Sequence, residues 1–254
     1  MRTVDFSTLM YRWMQLAGLD RTAITALNFD TFRDLANNRI EQIWENDYWP
    51  DLVRVSSPQT VLVDGNGVRT VTLPADLGEL LNVYDQDPRL TTRSRSMKYF
   101  LYSSATTDYA NLMEDTTPVY LEYKTRPPNL FGDSFSATVA YFVGAQAYFD
   151  TSTDSGSYLP NTAKLPAGNF YTCAVATSAG QSPTTTPASW TKIELPQFIT
   201  DFLIRATLGD YLRSEGQFDQ AMVAEGDANS ALEREVDKVV RAQGQVRRAD
   251  VFTY

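Results

Sequence analysis

Histidine is absent from the 254 residues, and cysteine occurs once, as Cys173. Without an imidazole there is no Ser-His-Asp or Cys-His nucleophile, no His-containing zinc site and no ordinary general base at neutral pH. A single cysteine excludes an intramolecular disulfide, and within FYTCAV it reads as a small buried hydrophobe rather than a reactive thiol. No stretch reaches the roughly 18 apolar residues that would span a bilayer, and the opening MRTVDFSTLM carries Asp5 where a secretory signal needs an apolar run. These absences predict a soluble, non-enzymatic chain with no cofactor and no metal.

Positive charge is also scarce: 22 Lys and Arg stand against 31 Asp and Glu, a net charge of −9. That balance disfavours tight binding of nucleic acid, whose affinity comes mainly from cations that neutralise phosphates. The charge is uneven. Between Lys238 and Tyr254, Lys238, Arg241, Arg247 and Arg248 face only Asp250, so this tail is +3 and the remainder is −12. An acidic body with a basic tail suggests docking on an acidic neighbour.

The hydrophobic period changes along the chain. Leu9, Met10, Trp13, Met14 and Ala17 recur at helical steps before Gly18, and Phe29, Phe32, Ala36, Ile40, Ile43 and Trp44 form a second stripe that starts after Asn28 and ends before Pro50. From Leu52 to Arg126 the period falls to two, with Asp64-Gly65-Asn66-Gly67 as the clearest hairpin turn. From about Asp133 to Lys192 small and aromatic residues dominate, with apparent strands at ATVAYFV, AQAYFD and NFYTCAVA. Helical period returns at Leu195-Pro196 and continues to about Ser214. A further helix, from about Phe218 to Ala242, places Met222, Leu232, Val236, Val239 and Val240 on one side, and Gly244 is expected to end it.

These segments predict an α+β fold in which helices from both ends of the chain form one bundle, interrupted by a β block and by a second, all-β insertion. The expected domains are 1–132 with 194–245 for the bundle and β block, 133–193 for the insertion, and 246–254 for an extended C-terminal docking arm.

The order of WENDYWPDL, VTLPADLGELLNVY, PVYLEYKTRPPNL and the closing LPQFITDFLIRATLGDYLRSEGQFDQAMVAEGDANSALEREV resembles the head-to-tail adaptors, or connectors, of tailed bacteriophages, of the tail tubular protein A type. The resemblance covers about residues 1–131 and 194–254. It implies a structural virion protein of the neck, assembled in the host cytoplasm. Such a protein forms a ring, typically of twelve subunits, between the portal and the next tail or nozzle protein, and DNA passes through without specific binding.

In the insertion, GNFYTCAVATSAGQSPTTTPASWTKI is similar to small carbohydrate-binding modules. That likeness makes Tyr148, Tyr171 and Trp190 possible sugar contacts, although core packing is favoured for each, and it gives the alternative reading of a sugar-binding or decoration protein on the tail or neck surface.

Other groups can be weighed from their chemistry. Arg89, Arg93, Arg95 and Lys98, interleaved with Tyr99, Phe100 and Tyr102, suit contact with the next subunit better than nucleic acid. Arg247, Arg248, Val251, Phe252 and Tyr254 suit docking on a portal or a neighbouring copy. Glu225, Asp227, Glu233, Glu235 and Asp237 lack the loop spacing of a calcium site and read as a solvated helical face.

Overall fold

A computed structural model describes residues 2–20, 25–46, 49–90, 94–103, 108–150 and 168–251, with the side chains of residues 46 and 242–251 left aside. The fold is α+β, as the changes of period predict. Among the described residues no helix is long and apolar enough to cross a membrane. The chain divides into two compact units, Met1–Asp47 with Pro128–Tyr254, and Tyr48–Pro127.

The first unit begins with strand β1 (Thr3–Val4), helix α1 (Phe6–Leu16) and helix α2 (Ala26–Asn46). The apolar stripes predicted for both helices are their buried faces: Leu9, Met10, Trp13 and Met14 on α1, and Phe29, Phe32, Ala36, Ile40, Ile43 and Trp44 on α2. α2 starts earlier than Asn28 suggests, because Thr25 is the capping residue: its Oγ1 accepts the Asn28 N–H at 3.1 Å.

The second unit contains β2 (Val53–Val55), β3 (Leu62–Val63), β4 (Arg69–Thr72), β5 (Leu77–Tyr84), β6 (Tyr99–Ser103), β7 (Asp108–Leu112) and β8 (Tyr120–Thr125). They form two antiparallel sheets, ordered β2-β8-β5 and β3-β4-β7-β6. Val71, Leu80, Val83, Met97, Ala110, Val119 and Leu121 fill the core between them. The β3–β4 hairpin turns at Asp64-Gly65-Asn66-Gly67, where the Asp64 carboxylate accepts the N–H groups of Asn66 and Val68 at 2.9 and 2.8 Å.

The chain then returns to the first unit with β9 (Asp133–Ser134), β10 (Gln146–Asp150), β11 (Gly168–Cys173), β12 (Trp190–Lys192), β13 (Leu195–Pro196), α3 (Thr200–Ser214) and α4 (Phe218–Val251). β12, β11, β10 and β9 form one sheet, and β13 pairs with β1. Pro196 therefore sits in a strand rather than in the first turn of a helix, in an extended conformation at φ −63° and ψ 140°. ATVAYFV is a turn rather than a strand, and exposes Val139, Phe142 and Val143. Cys173 is buried, and its thiol lies 3.1 Å from the Val175 carbonyl oxygen.

Two boundaries differ from those that the sequence predicts. Residues 133–193 belong to the same unit as the helices, while the β block is the separate one. The reason lies in β10, whose successive side chains are buried on both faces of its sheet. Ala147 and Phe149 join Phe135, Cys173 and Trp190 on one face. Tyr148 points the other way, with ring centroids 4.9 Å from Phe29 and 6.0 Å from Phe6. Phe6 also meets Phe170 edge-on at 4.8 Å, so the start of α1 and the sheet share one core.

The C-terminal segment also departs from expectation. α4 is 34 residues long and continues through Gly244 to Val251, so residues 246–251 are helical rather than an extended arm. One interior glycine costs only about 1 kcal/mol, and Gln, Arg and Ala around it are good helix formers.

Candidate interaction surfaces

The helical frame is joined by charge as well as by apolar packing. From α2, Arg39 Nε and Nη2 donate to the two carboxylate oxygens of Asp210 on α3, at 2.6 and 2.5 Å. Arg39 also lies 3.7 Å from Glu225 on α4, and Arg213 Nη2 donates to that carboxylate at 2.7 Å. The Asp210 hydrogen bonds raise the guanidinium pKa above its ordinary value, outweighing the opposite effect of burial. One arginine thus ties together three helices that the sequence separates widely.

α3 and α4 form a hairpin closed at Gly216, whose φ of +78° is cheap only for glycine. The Gly216 N–H donates to the Arg213 carbonyl and the Gln217 N–H to that of Leu212, a Schellman closure of α3. The two helices approach closely because α4 turns Ala221, Ala224, Ala228 and Ala231 toward α3. Gly209 belongs to the same contact: a Cβ there would lie 3.3 Å from the Ala221 carbonyl oxygen.

This packing leaves the larger apolar side chains of α4 outside. Phe218, Met222, Val223 and Val240 are 62%, 70%, 68% and 59% exposed. Ala231 is the last buried side chain of α4 among the described ones, and from Leu232 to Arg241 every side chain is half-buried or exposed. The lengths explain this, since 15 residues of α3 cover roughly 22 Å and 34 residues of α4 roughly 51 Å.

A second apolar surface lies on the β unit. The strand register sets Phe100 opposite Asn111 and Tyr102 opposite Tyr109, on the face away from Val71 and Ala110. The rings of Tyr102 and Tyr109 stack at 5.4 Å, and Phe100 stands exposed beside them. β6 is an edge strand of its sheet, which leaves one line of backbone groups open to pairing.

The predicted docking residues meet different fates. Arg247, Arg248 and Val251 fall on the last turns of α4, whereas Phe252 and Tyr254 lie outside the described residues. Arg93 also lies outside them. Arg89 is engaged within its own loop, donating to Asp87 at 2.9 and 2.7 Å and holding that carboxyl below its ordinary pKa. Arg95 pairs with Glu114, and Lys98 is exposed. The basic run is therefore not a patch of free cations, because two of its arginines are neutralised by carboxylates of the same unit.

The possible sugar contacts are corrected more sharply. Tyr148 and Trp190 are 3% and 6% exposed, so neither ring can present a face to a pyranose. Trp190 packs against Tyr141 and Phe135, and its indole N–H donates to the Gln181 carbonyl at 3.1 Å. Tyr171 is half-buried near Phe149. The aromatic spacing that resembles a sugar-binding module is the spacing of a packed sheet.

The acidic residues of α4 are largely ion-paired. Asp227 meets Arg205 at 2.7 Å, Glu235 meets Lys238 at 2.5 Å and Asp237 meets Arg241 at 3.7 Å. Among the described residues no cluster of three or more His, Cys, Asp or Glu could hold a metal ion. No protein family matches this chain, and no curated protein is significantly similar to it.

Proposed function

We propose that this chain is a structural subunit of the neck of a tailed bacteriophage, a head-to-tail adaptor that forms a ring between the portal and the next tail component. The observation that carries the reading is the pair of distinct apolar surfaces on one chain: the outer side of α4 on the helical unit, and the Phe100, Tyr102 and Tyr109 face on the β unit. A closed ring is built from heterologous contacts, in which each subunit presents one surface to one neighbour and a different surface to the other. Exposed apolar faces of this kind mark interaction sites in a stable protein.

The resemblance in the order of sequence pieces to phage adaptors adds a direction to this reading. The helical unit, closed by both ends of the chain, meets the portal, and the β unit meets the next component. The test mixes the purified chain with a portal protein from the same source and follows the mixture by size-exclusion chromatography and electron microscopy. Rings stacked on the portal are the expected product, with loss of the ring in Phe218→Asp/Met222→Asp. Separate elution of both proteins at about 10 µM, where a specific interface of ordinary size binds, refutes the proposal.

A further inference from the structure

The two edge strands of the four-stranded sheet in the β unit have the composition of interior strands. β6 reads Tyr99-Phe100-Leu101-Tyr102-Ser103, and β3 with the residue before it reads Val61-Leu62-Val63. Neither run holds the charge or proline that normally keeps an edge from pairing. Leu62, Val63, Phe100 and Leu101 are each more than half exposed. Among the described residues no strand covers either edge.

The register shows what fits there. Val63, Arg69, Leu112 and Tyr99 lie in one row across the sheet, and Leu62, Thr70, Asn111 and Phe100 in the next. All three pairings are antiparallel, so β3 and β6 run in opposite directions. A second copy added sideways therefore sets its β3 antiparallel to β6 and continues the rows, with Tyr99 opposite Val63, Phe100 opposite Leu62 and Leu101 opposite Val61 of that copy. Backbone polarity agrees with this register. The Met113 N–H donates to the Lys98 carbonyl and the Asp64 N–H to that of Val68, so by alternation Tyr99, Leu101, Val61 and Val63 turn their N–H and C=O groups outward. The same rows place Lys98 opposite Asp64 of the next copy. Both are exposed, and among the described residues neither has an ion pair; Asp64 uses only Oδ1 in its own turn.

We infer that β6 of one copy pairs antiparallel with β3 of the next in this register, extending the sheet from copy to copy, with Lys98 and Asp64 as a cross-strand ion pair. Pairing of β6 with a second β6 would leave Leu62 and Val63 in water, and β6 carries no acid for Lys98. The contact is heterologous and repeats from copy to copy. It needs no portal, so it and the adaptor reading stand or fall separately.

Oxidative cross-linking of the full chain without portal tests this. In the inferred register Phe100 and Leu62 form a non-hydrogen-bonded pair with Cα atoms about 4.5 Å apart, within disulfide reach. Inside one copy they are separated by three strand spacings, about 14 Å, and cannot be joined. Mixed Phe100→Cys and Leu62→Cys proteins should give a cross-linked dimer, the double variant a ladder of multimers, and each single variant alone neither. Cys173 is buried and does not interfere. In sedimentation equilibrium, Lys98→Glu should raise the dissociation constant about fivefold by setting like charges opposite, with an unchanged circular dichroism spectrum. A wild-type monomer at about 100 µM overturns the proposal. Cross-linking of Phe100→Cys to itself, or association indifferent to Lys98→Glu, overturns it equally.

Discussion

Replacing Arg39 with methionine probes the clamp that joins α2, α3 and α4. Methionine keeps much of the apolar stem and removes the guanidinium, so the loss is mainly electrostatic. Two charge-assisted hydrogen bonds to Asp210 disappear, between side chains only 12% and 19% exposed. Asp210 is not fully stranded, because Arg213 stays 3.4 Å away. Hydrogen bonds to charged groups contribute about 1.5–3 kcal/mol, so a loss of about 2–3 kcal/mol is expected. For a unit of this size that lowers Tm by roughly 5–10 °C. The assay is thermal unfolding followed by far-ultraviolet circular dichroism, which reports the helical unit, combined with the Arg39→Met/Asp210→Asn double-mutant cycle. Coupling above about 1.5 kcal/mol is expected, and coupling below about 0.5 kcal/mol, the level of an ordinary surface pair, refutes the reasoning.

Three further substitutions separate packing from binding roles. Trp190→Ala should destabilise the chain by about 3–5 kcal/mol as a core truncation; a stable variant that loses affinity for polysaccharide on an immobilised-glycan column contradicts the burial argument. Ala228→Leu should cost about 1–3 kcal/mol by forcing α3 and α4 apart, seen as a lower midpoint in urea, and unchanged stability refutes the close approach. Asp5→Asn tests a pH effect. Partial burial would raise the Asp5 carboxyl pKa, but the hydrogen bonds from Asn169 and Lys192 and the lysine's charge outweigh it and hold it below its ordinary value. A lowered folded-state pKa gives stability above the unfolded value that is lost as pH falls through the folded one. The variant should therefore be less stable than wild type by roughly 0.5–1 kcal/mol at neutral pH, and the gap should close below about pH 4. A gap that persists at low pH refutes the assignment.

The helices were legible because a helix buried on one side must repeat its apolar residues every three or four positions. Phe29, Phe32, Ala36, Ile40 and Ile43 do so and are all buried. The 62–72 hairpin was legible for a similarly local reason, since the Asp64 side chain satisfies two turn amides by itself. The unit boundaries were not. The small-residue composition of 133–193 suggested independence, yet what attaches that sheet to the helices is nonlocal. The Phe6 N–H donates to Asn169 Oδ1 at 3.1 Å, and the Gly168 N–H donates to Ser7 Oγ at 2.9 Å. Each bond joins residues more than 160 positions apart, and no pattern within either segment announces it. The Arg39–Asp210 pair was hidden in the same way, among many charged residues on amphipathic helices.

α4 shows where hydropathy misleads about direction. Its bulkiest apolar residues, Phe218, Met222, Val236 and Val240, suggest the side that packs into the subunit's own bundle, yet the buried row is Ala221, Ala224, Ala228 and Ala231. Burial within a hairpin whose loop is only Glu215-Gly216-Gln217 requires the helix axes to come close, and only small side chains allow that. Larger apolar residues suit a partner that sits further from the axis and is not tethered by a short turn. Once α3 has taken the alanine face and ended, the larger apolar side chains of α4 have no comparable cover among the described residues. The apolar area they keep in water is then stabilising only in an assembly, which is why the state of association, rather than the fold of one copy, is where this helix should be tested.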